Sequence, residues 1–343
     1  MYSSLTHVSV ISHQRMNAPA LIANLISCLL ILSGCASTPQ SRQIQTQGLG
    51  SLPASIELTD TPFYPQTRHQ CGPAALATVL QAHGVQATPE ELSTQIYLPE
   101  REGSLQIEMM VAARRHGMLA YQLQPRLVDI FAEIAVGNPI LVLQNLAFEW
   151  YPQWHYAVVI GYDTESDNII LRSGTTRRWV TPFEVFERSW QRADYWALAL
   201  VPIGEIPRTA DPLRYLKTAY AFEETGNPQL ARTAYQSACK RWPEVAATWM
   251  TLGNVDFANH DWSEAVKAFN TAVSLEPDSV NSWNNLAFAL HAYGCASQAQ
   301  AALQCGFKIA PTDKNLYDSA QELHNKPAGS KRSDCPLINC NQK

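Results

Sequence analysis

Two residues in this chain have the types and settings for acyl-group chemistry, Cys71 and His155. Cys71 stands directly before Gly72-Pro73 and an apolar run, 73–83, that reads as a helix, with Pro73 suited to its first turn and Gly84 to its stop. A thiol at a helix N-terminus feels the positive end of the macrodipole, which favours thiolate. Gly72 permits close approach of a substrate, and the Cys71 N–H, free of helical bonding, is available to an oxyanion. His155 opens the β-rich run 155–162 (HYAVVIGY) and is the candidate base. Together they would form a nucleophile–base pair acting on a carbonyl carbon.

The surrounding elements divide into two kinds. A second helix begins at Thr88-Pro89-Glu90-Glu91, where Thr88 and Glu91 form a capping box. A third runs from about Ser104 to His116 and stops at Gly117, and a fourth covers about 126–135. The period then changes to that of strands at 140–144, 155–162, 168–172 and 195–201. Helices followed by antiparallel strands make an α+β domain.

Within this frame, Phe63-Tyr64-Pro65-Gln66, Gln70-Cys71-Gly72-Pro73-Ala74-Ala75-Leu76 and Trp154-His155-Tyr156-Ala157-Val158-Val159-Ile160-Gly161-Tyr162 resemble the bacteriocin-processing, double-glycine-type cysteine peptidases of the papain-like clan. The resemblance spans about residues 61–203. It implies a papain-like fold, Cys71 as nucleophile, His155 as base, a glutamine upstream in the oxyanion hole, and an aspartate after the next strand. Gln66 lies five residues before Cys71, one fewer than the family's usual spacing, and Gln70 is its rival. Where relatives read Asp-Pro, this chain reads Arg172-Ser173-Gly174, so Ser173 takes the third position without a charge. Asp163 follows the His155 strand and is either a substitute or an ordinary turn acid. Phe148, Trp150, Tyr151 and Trp154 either wall a cleft or pack on the first helix.

A second pattern fills the C-terminal part. From 212 to 313 a period of 34 residues recurs: Tyr215, Trp249, Trp283; then Ala219, Gly253, Ala287; then Pro243, Pro277, Pro311 closing each unit. This is the pattern of three tetratricopeptide (TPR) repeats, 212–245, 246–279 and 280–313, an all-α solenoid whose groove takes a protein partner. Residues 325–343 read as a disordered tail, in which Cys335 and Cys340 could close a small loop; Cys295 and Cys305, on one helix, lie too far apart to bridge.

The N-terminus carries an apolar run, 20–32, shorter than a membrane span, followed by Leu32-Ser33-Gly34-Cys35. This resembles a bacterial lipobox. It implies a signal peptide over 1–34, lipidation of Cys35 and, with Ala36 following, the outer membrane facing the periplasm. Either Met1 or Met16 is the start, and 35–60 reads as a lipidated flexible tether. A net charge of −5 offers no field for nucleic acid. The eight cysteines show no CxxC pair and His69 beside Cys71 is too few ligands for zinc, so neither metal nor cofactor is implied.

The expected whole is an envelope-anchored thiol peptidase or amidase whose repeats recruit substrate or partner. The alternatives are a catalytically degenerate TPR adaptor lipoprotein and a papain-like acyltransferase.

Overall fold

The computed structural model describes residues 37–66 and 70–340. The expected signal peptide, Cys35 and both candidate start methionines lie outside the described residues, as does His69.

The first element corrects the flexible tether. Pro39–Gln47 is a helix, α1. Its opening N–H groups are satisfied by a buried carboxylate: Glu187 accepts from the amides of Gln40 (3.0 Å) and Ser41 (2.6 Å) and from the Ser41 hydroxyl (2.5 Å). Leu49 and Leu52 follow onto the core, and strand β1 (Ser55–Glu57) joins the sheet. A polar composition had suggested a linker; long-range partners order it instead.

The helices α2 (Cys71–Ala82), α3 (Pro89–Ile96), α4 (Gln106–Arg115) and α5 (Leu127–Ile134) fall where the apolar periodicity predicts. The capping box at α3 is formed in both directions. The strands are β2 (Met118–Gln122), β3 (Ile140–Asn145), β4 (Trp154–Asp163), β5 (Asn168–Ser173), β6 (Thr176–Pro182) and β7 (Ala197–Pro202), with helix α6 (Phe183–Gln191) before β7. They form one antiparallel sheet in the order β2-β7-β3-β4-β5-β6, and β1 pairs with β4.

Alternation along β4 assigns the two faces of the sheet. Val158 and Ile160 pack with Leu76, Val79 and Leu80 of α2. Ala157 and Val159 pack with Phe131 of α5 and with Phe186 and Trp190 of α6.

Six further helices follow in pairs: α7 (Pro212–Glu224) with α8 (Pro228–Arg241), α9 (Ala246–Ala258) with α10 (Trp262–Leu275), α11 (Val280–Tyr293) with α12 (Ala296–Ile309). The recurrent small residues sit at crossings: a Cβ on Gly253 would come within 2.5 Å of the Phe269 ring. The recurrent Trp and Pro are partners. Trp249 Nε1 donates to Pro243 O (2.8 Å) and Trp283 Nε1 to Pro277 O (2.7 Å). Tyr317 donates likewise to Pro311 O (3.1 Å), so the period continues into a further helix, α13 (Lys314–Asn325).

The tail is a second correction. Disulfides Cys295–Cys335 and Cys305–Cys340 fasten it to α12 and the residue preceding it, in place of a Cys335–Cys340 loop. The Tyr293 hydroxyl donates to Asp334 (2.6 Å), and Arg332 lies 4.4 Å over the Tyr293 ring. Ile338 packs against the last repeat's core.

The sheet domain and the first repeat share one core. Tyr215, Phe222 and Tyr235 belong to the same buried cluster as Leu119, Tyr121 and Phe131. Polar ties reinforce the join: Glu133 accepts from Thr209 N and Oγ1 (both 2.7 Å), and Arg214 donates to Gln122 O (2.9 Å).

Candidate active site

Tyr156, the residue after His155, organises the site. It faces Leu143 of β3, whose N–H goes to Trp196 O on the far side (3.2 Å), so the Leu143–Tyr156 pair makes no mutual hydrogen bonds. Tyr156 therefore directs both its N–H and its C=O to the other edge of β4. β5 has already left that edge; its pairing with β4 ends at Val158–Arg172. The vacated edge is taken by two candidate site residues. The Tyr156 amide favours the Cys71 thiolate, and the Tyr156 C=O accepts from Gln66 Nε2 (3.4 Å). Cys71 packs against the core cluster that holds Tyr156.

Cys71 is the first residue of α2, half-buried, with Gln70 at the N-cap. The amides of Tyr156, Gly72 and Cys71 itself all favour its thiolate, yet burial outweighs them and pushes the thiol above its ordinary value. This differs from the expectation drawn from the helix terminus: the apolar wall of α2 and the sheet costs the charge more than the amides return. Burial also pushes the His155 imidazole below its ordinary value. Both directions favour the uncharged thiol and imidazole over the ion pair, and the neutral ring is the form in which His155 can take a proton. Gly72 is required sterically, since a Cβ there would lie 2.7 Å from Ser104 Oγ.

Ser173 stands where the missing acid was expected. Its Oγ lies 2.9 Å from His155 Nε2, which leaves Nδ1 as the ring nitrogen not engaged by Ser173. Asp163 is a turn acid: its carboxylate accepts from Glu165 N (2.9 Å) and Ser166 Oγ (2.8 Å), at the opposite end of β4 from His155.

Gln66 is clamped to the β5–β6 turn. Its amide N–H donates to Gly174 O (3.0 Å) and its Oε1 accepts from Gly174 N (3.2 Å). With Oε1 so used, the side-chain NH₂ is turned toward Tyr156 and the sulfur's side of the strand. The one-residue shortfall before Cys71 does not keep Gln66 from the site.

Sequence reasoning missed two supports. Arg172, buried, donates to Thr59 O (3.0 Å), Thr61 O (2.9 Å) and Arg177 O (2.6 Å), fixing the approach to Gln66 and the turn after Ser173. Gln144, opposite His155 in the β3–β4 register, is buried and bonded to Ser189 Oγ (2.6 Å). A polar residue closing the apolar run 140–144 was the available signal for Gln144. The aromatic loop does not pack on α2: Phe148, Trp150, Tyr151 and Trp154 are all exposed, Trp150 by 81%.

Residues 58–198 match the model of the Peptidase_C39 like family, and residues 253–294 match that of a TPR repeat. An uncharacterized protein of Methanothermobacter thermautotrophicus (strain Delta H) is 30% identical over 136 residues, covering 39% of this chain and 86% of that protein. Three solved structures are similar at lower identity. They are a C39-like peptidase from Bacillus anthracis (16% identical, 43% of this chain and 98% of that one, TM-score 0.37), a double glycine motif protease from an AMS/PCAT transporter in complex with its leader peptide (22%, 42% and 93%, 0.34), and the peptidase domain of Streptococcus ComA (18%, 41% and 98%, 0.34). The chain belongs, through residues 58–198, to the Peptidase_C39 like family, and carries TPR repeats after that domain.

Proposed function

We propose that the chain is a thiol hydrolase acting on a peptide or amide bond. His155 takes the Cys71 proton, the sulfur attacks the carbonyl carbon, and the tetrahedral oxyanion is held by Gln66 Nε2 and an α2 amide. The leaving amine departs with the proton from His155, and water, deprotonated by the same imidazole, releases the acyl group. The single observation supporting this is the place of Tyr156: Cys71 packs against its cluster and its C=O accepts from the oxyanion candidate Gln66, one residue from the base.

The test is alkylation with iodoacetamide at neutral pH. Among the described residues the free thiols are Cys71 and Cys239, and burial pushes Cys239 up to about 11, making it an internal reference. Cys71 should react much faster, and Cys71→Ala should abolish hydrolysis of peptides captured from an envelope extract. Equal reactivity at both would favour the second reading, a degenerate adaptor, which the uncharged Ser173 supports.

The repeats serve in either case as the surface for a protein partner. Placement in the envelope through Cys35 is part of the same proposal, and two structural disulfides suit an oxidising compartment. Metabolic labelling with palmitate, lost in Cys35→Ser, is its test.

A further inference from the structure

Resting on the catalytic reading above, we infer that the enzyme selects substrates bearing a bulky apolar side chain next to the scissile bond and rejects basic ones. His155 and Ser173 form one wall of a cavity of about 430 Å³ lying over α6. Leu171 and Phe186, both buried, line it, and Leu171 faces Trp179 directly across the β5–β6 pair. Three apolar side chains stand around it half-exposed: Leu146 (49% exposed), Trp179 (51%) and Val185 (47%). Three exposed apolar groups, from β6, α6 and the loop after β3, around one hollow form a receptor for an apolar group, not scattered surface hydrophobes.

What fills the hollow follows from its position. A polypeptide whose carbonyl carbon is at the Cys71 sulfur runs past the imidazole of His155. A side chain adjacent to that carbonyl is therefore within reach of a cavity that shares His155 and Ser173 as lining. The charge lining is one-sided. Among the described residues Arg188 and Arg192 line the cavity and no Asp or Glu does; Arg188 is paired with Glu184 (3.9 Å), and Arg192 is held by Asn145 O (3.1 Å to Nε, 2.8 Å to Nη2). A lysine or arginine side chain would enter against the Arg192 guanidinium, and the nearby carboxylate of Glu184 is already taken by Arg188. A glycine would leave the hollow unfilled.

The test uses irreversible dipeptidyl chloromethyl ketones on the full chain, with glycine, leucine, phenylalanine or lysine at each of the two positions. Labelling of Cys71 is read by mass spectrometry. At one position the leucine or phenylalanine probe should label about tenfold or more faster than the glycine and lysine probes. Val185→Trp, which fills the hollow, and Trp179→Ala, which strips its wall, should each erase that preference while leaving the iodoacetamide rate at Cys71 unchanged. A preference for glycine or lysine, or one untouched by both variants, overturns the inference and leaves the catalytic reading standing. Failure of every probe and of iodoacetamide alike to single out Cys71 overturns the catalytic reading itself, and the inference with it.

Discussion

The 2.9 Å contact between His155 Nε2 and Ser173 Oγ orients the imidazole without charging it. An acid at this place would stabilise imidazolium; a hydroxyl contributes only a hydrogen bond. Burial already favours the neutral ring, and the thiol is pushed the other way, so both shifts oppose the ion pair. Cys71 alkylation in the native protein should therefore rise only as pH enters or passes the ordinary thiol range. Ser173→Asp places a carboxylate on Nε2, which raises the imidazole's value and with it lowers the apparent thiol value. The alkylation profile should move to lower pH and the rate at pH 7 should increase about tenfold. Ser173→Ala should lower hydrolysis without moving the profile. An unmoved profile in Ser173→Asp would show that this pair does not form in solution.

Gln66 gives a second, separable prediction. Removing an oxyanion donor affects the tetrahedral intermediate but not the nucleophile. Gln66→Ala should lower kcat for peptide hydrolysis by about 10²–10³-fold. Its Cys71 alkylation rate should stay near that of the native chain. A parallel fall in both would mean that Gln66 only holds the β5–β6 turn through Gly174.

Glu187 gives a prediction about stability. It is fully buried and accepts three hydrogen bonds from Gln40 and Ser41. Glu187→Ala would strand those donors and destabilise the protein by about 1–3 kcal/mol per unsatisfied group. Ser41→Ala should cost about 1 kcal/mol. Denaturant unfolding followed by tryptophan fluorescence checks both, because Trp190 lies on the same helix as Glu187.

The tail disulfides act locally. Cys335→Ser or Cys340→Ser removes a covalent closure spanning 40 or 35 residues, worth about 2–4 kcal/mol in the chain-entropy account. Amide exchange should quicken in α12 and α13 and remain unchanged in the β-sheet. Peptide hydrolysis should be unaffected.

Much of this was legible in the sequence because the relevant signals are local. The α3 capping box, the glycine stop after α4 and the 34-residue columns each depend on neighbours within a few turns. The elements that escaped depend on distant partners. β2 reads Met-Leu-Ala-Tyr-Gln, which lacks β-branched residues, and it is a strand because β7 pairs with it. α1 is polar apart from Pro39 and Ile44 and is held by Glu187, far along the chain. α6 was nearer to view: Phe183, Phe186 and Trp190 recur at helical spacing directly after Pro182. At the site, Cys71, Gln66, His155 and Ser173 could each be named from motif and resemblance. The part played by Tyr156 could not, because it arises from β5 ending two residues early.

The core that runs unbroken from Phe131 and Tyr121 into Tyr215 and Phe222 packs the first repeat directly onto the sheet domain. The solenoid is thus seated on that domain and not leashed to it. A protein seated on the repeats would be offered to Cys71 from one fixed direction, which makes the spacing between its docking segment and its cleavable bond a matter of selection. Cutting the chain after β7 would strip cover from Leu119 and Tyr121, so the sheet domain produced alone should aggregate.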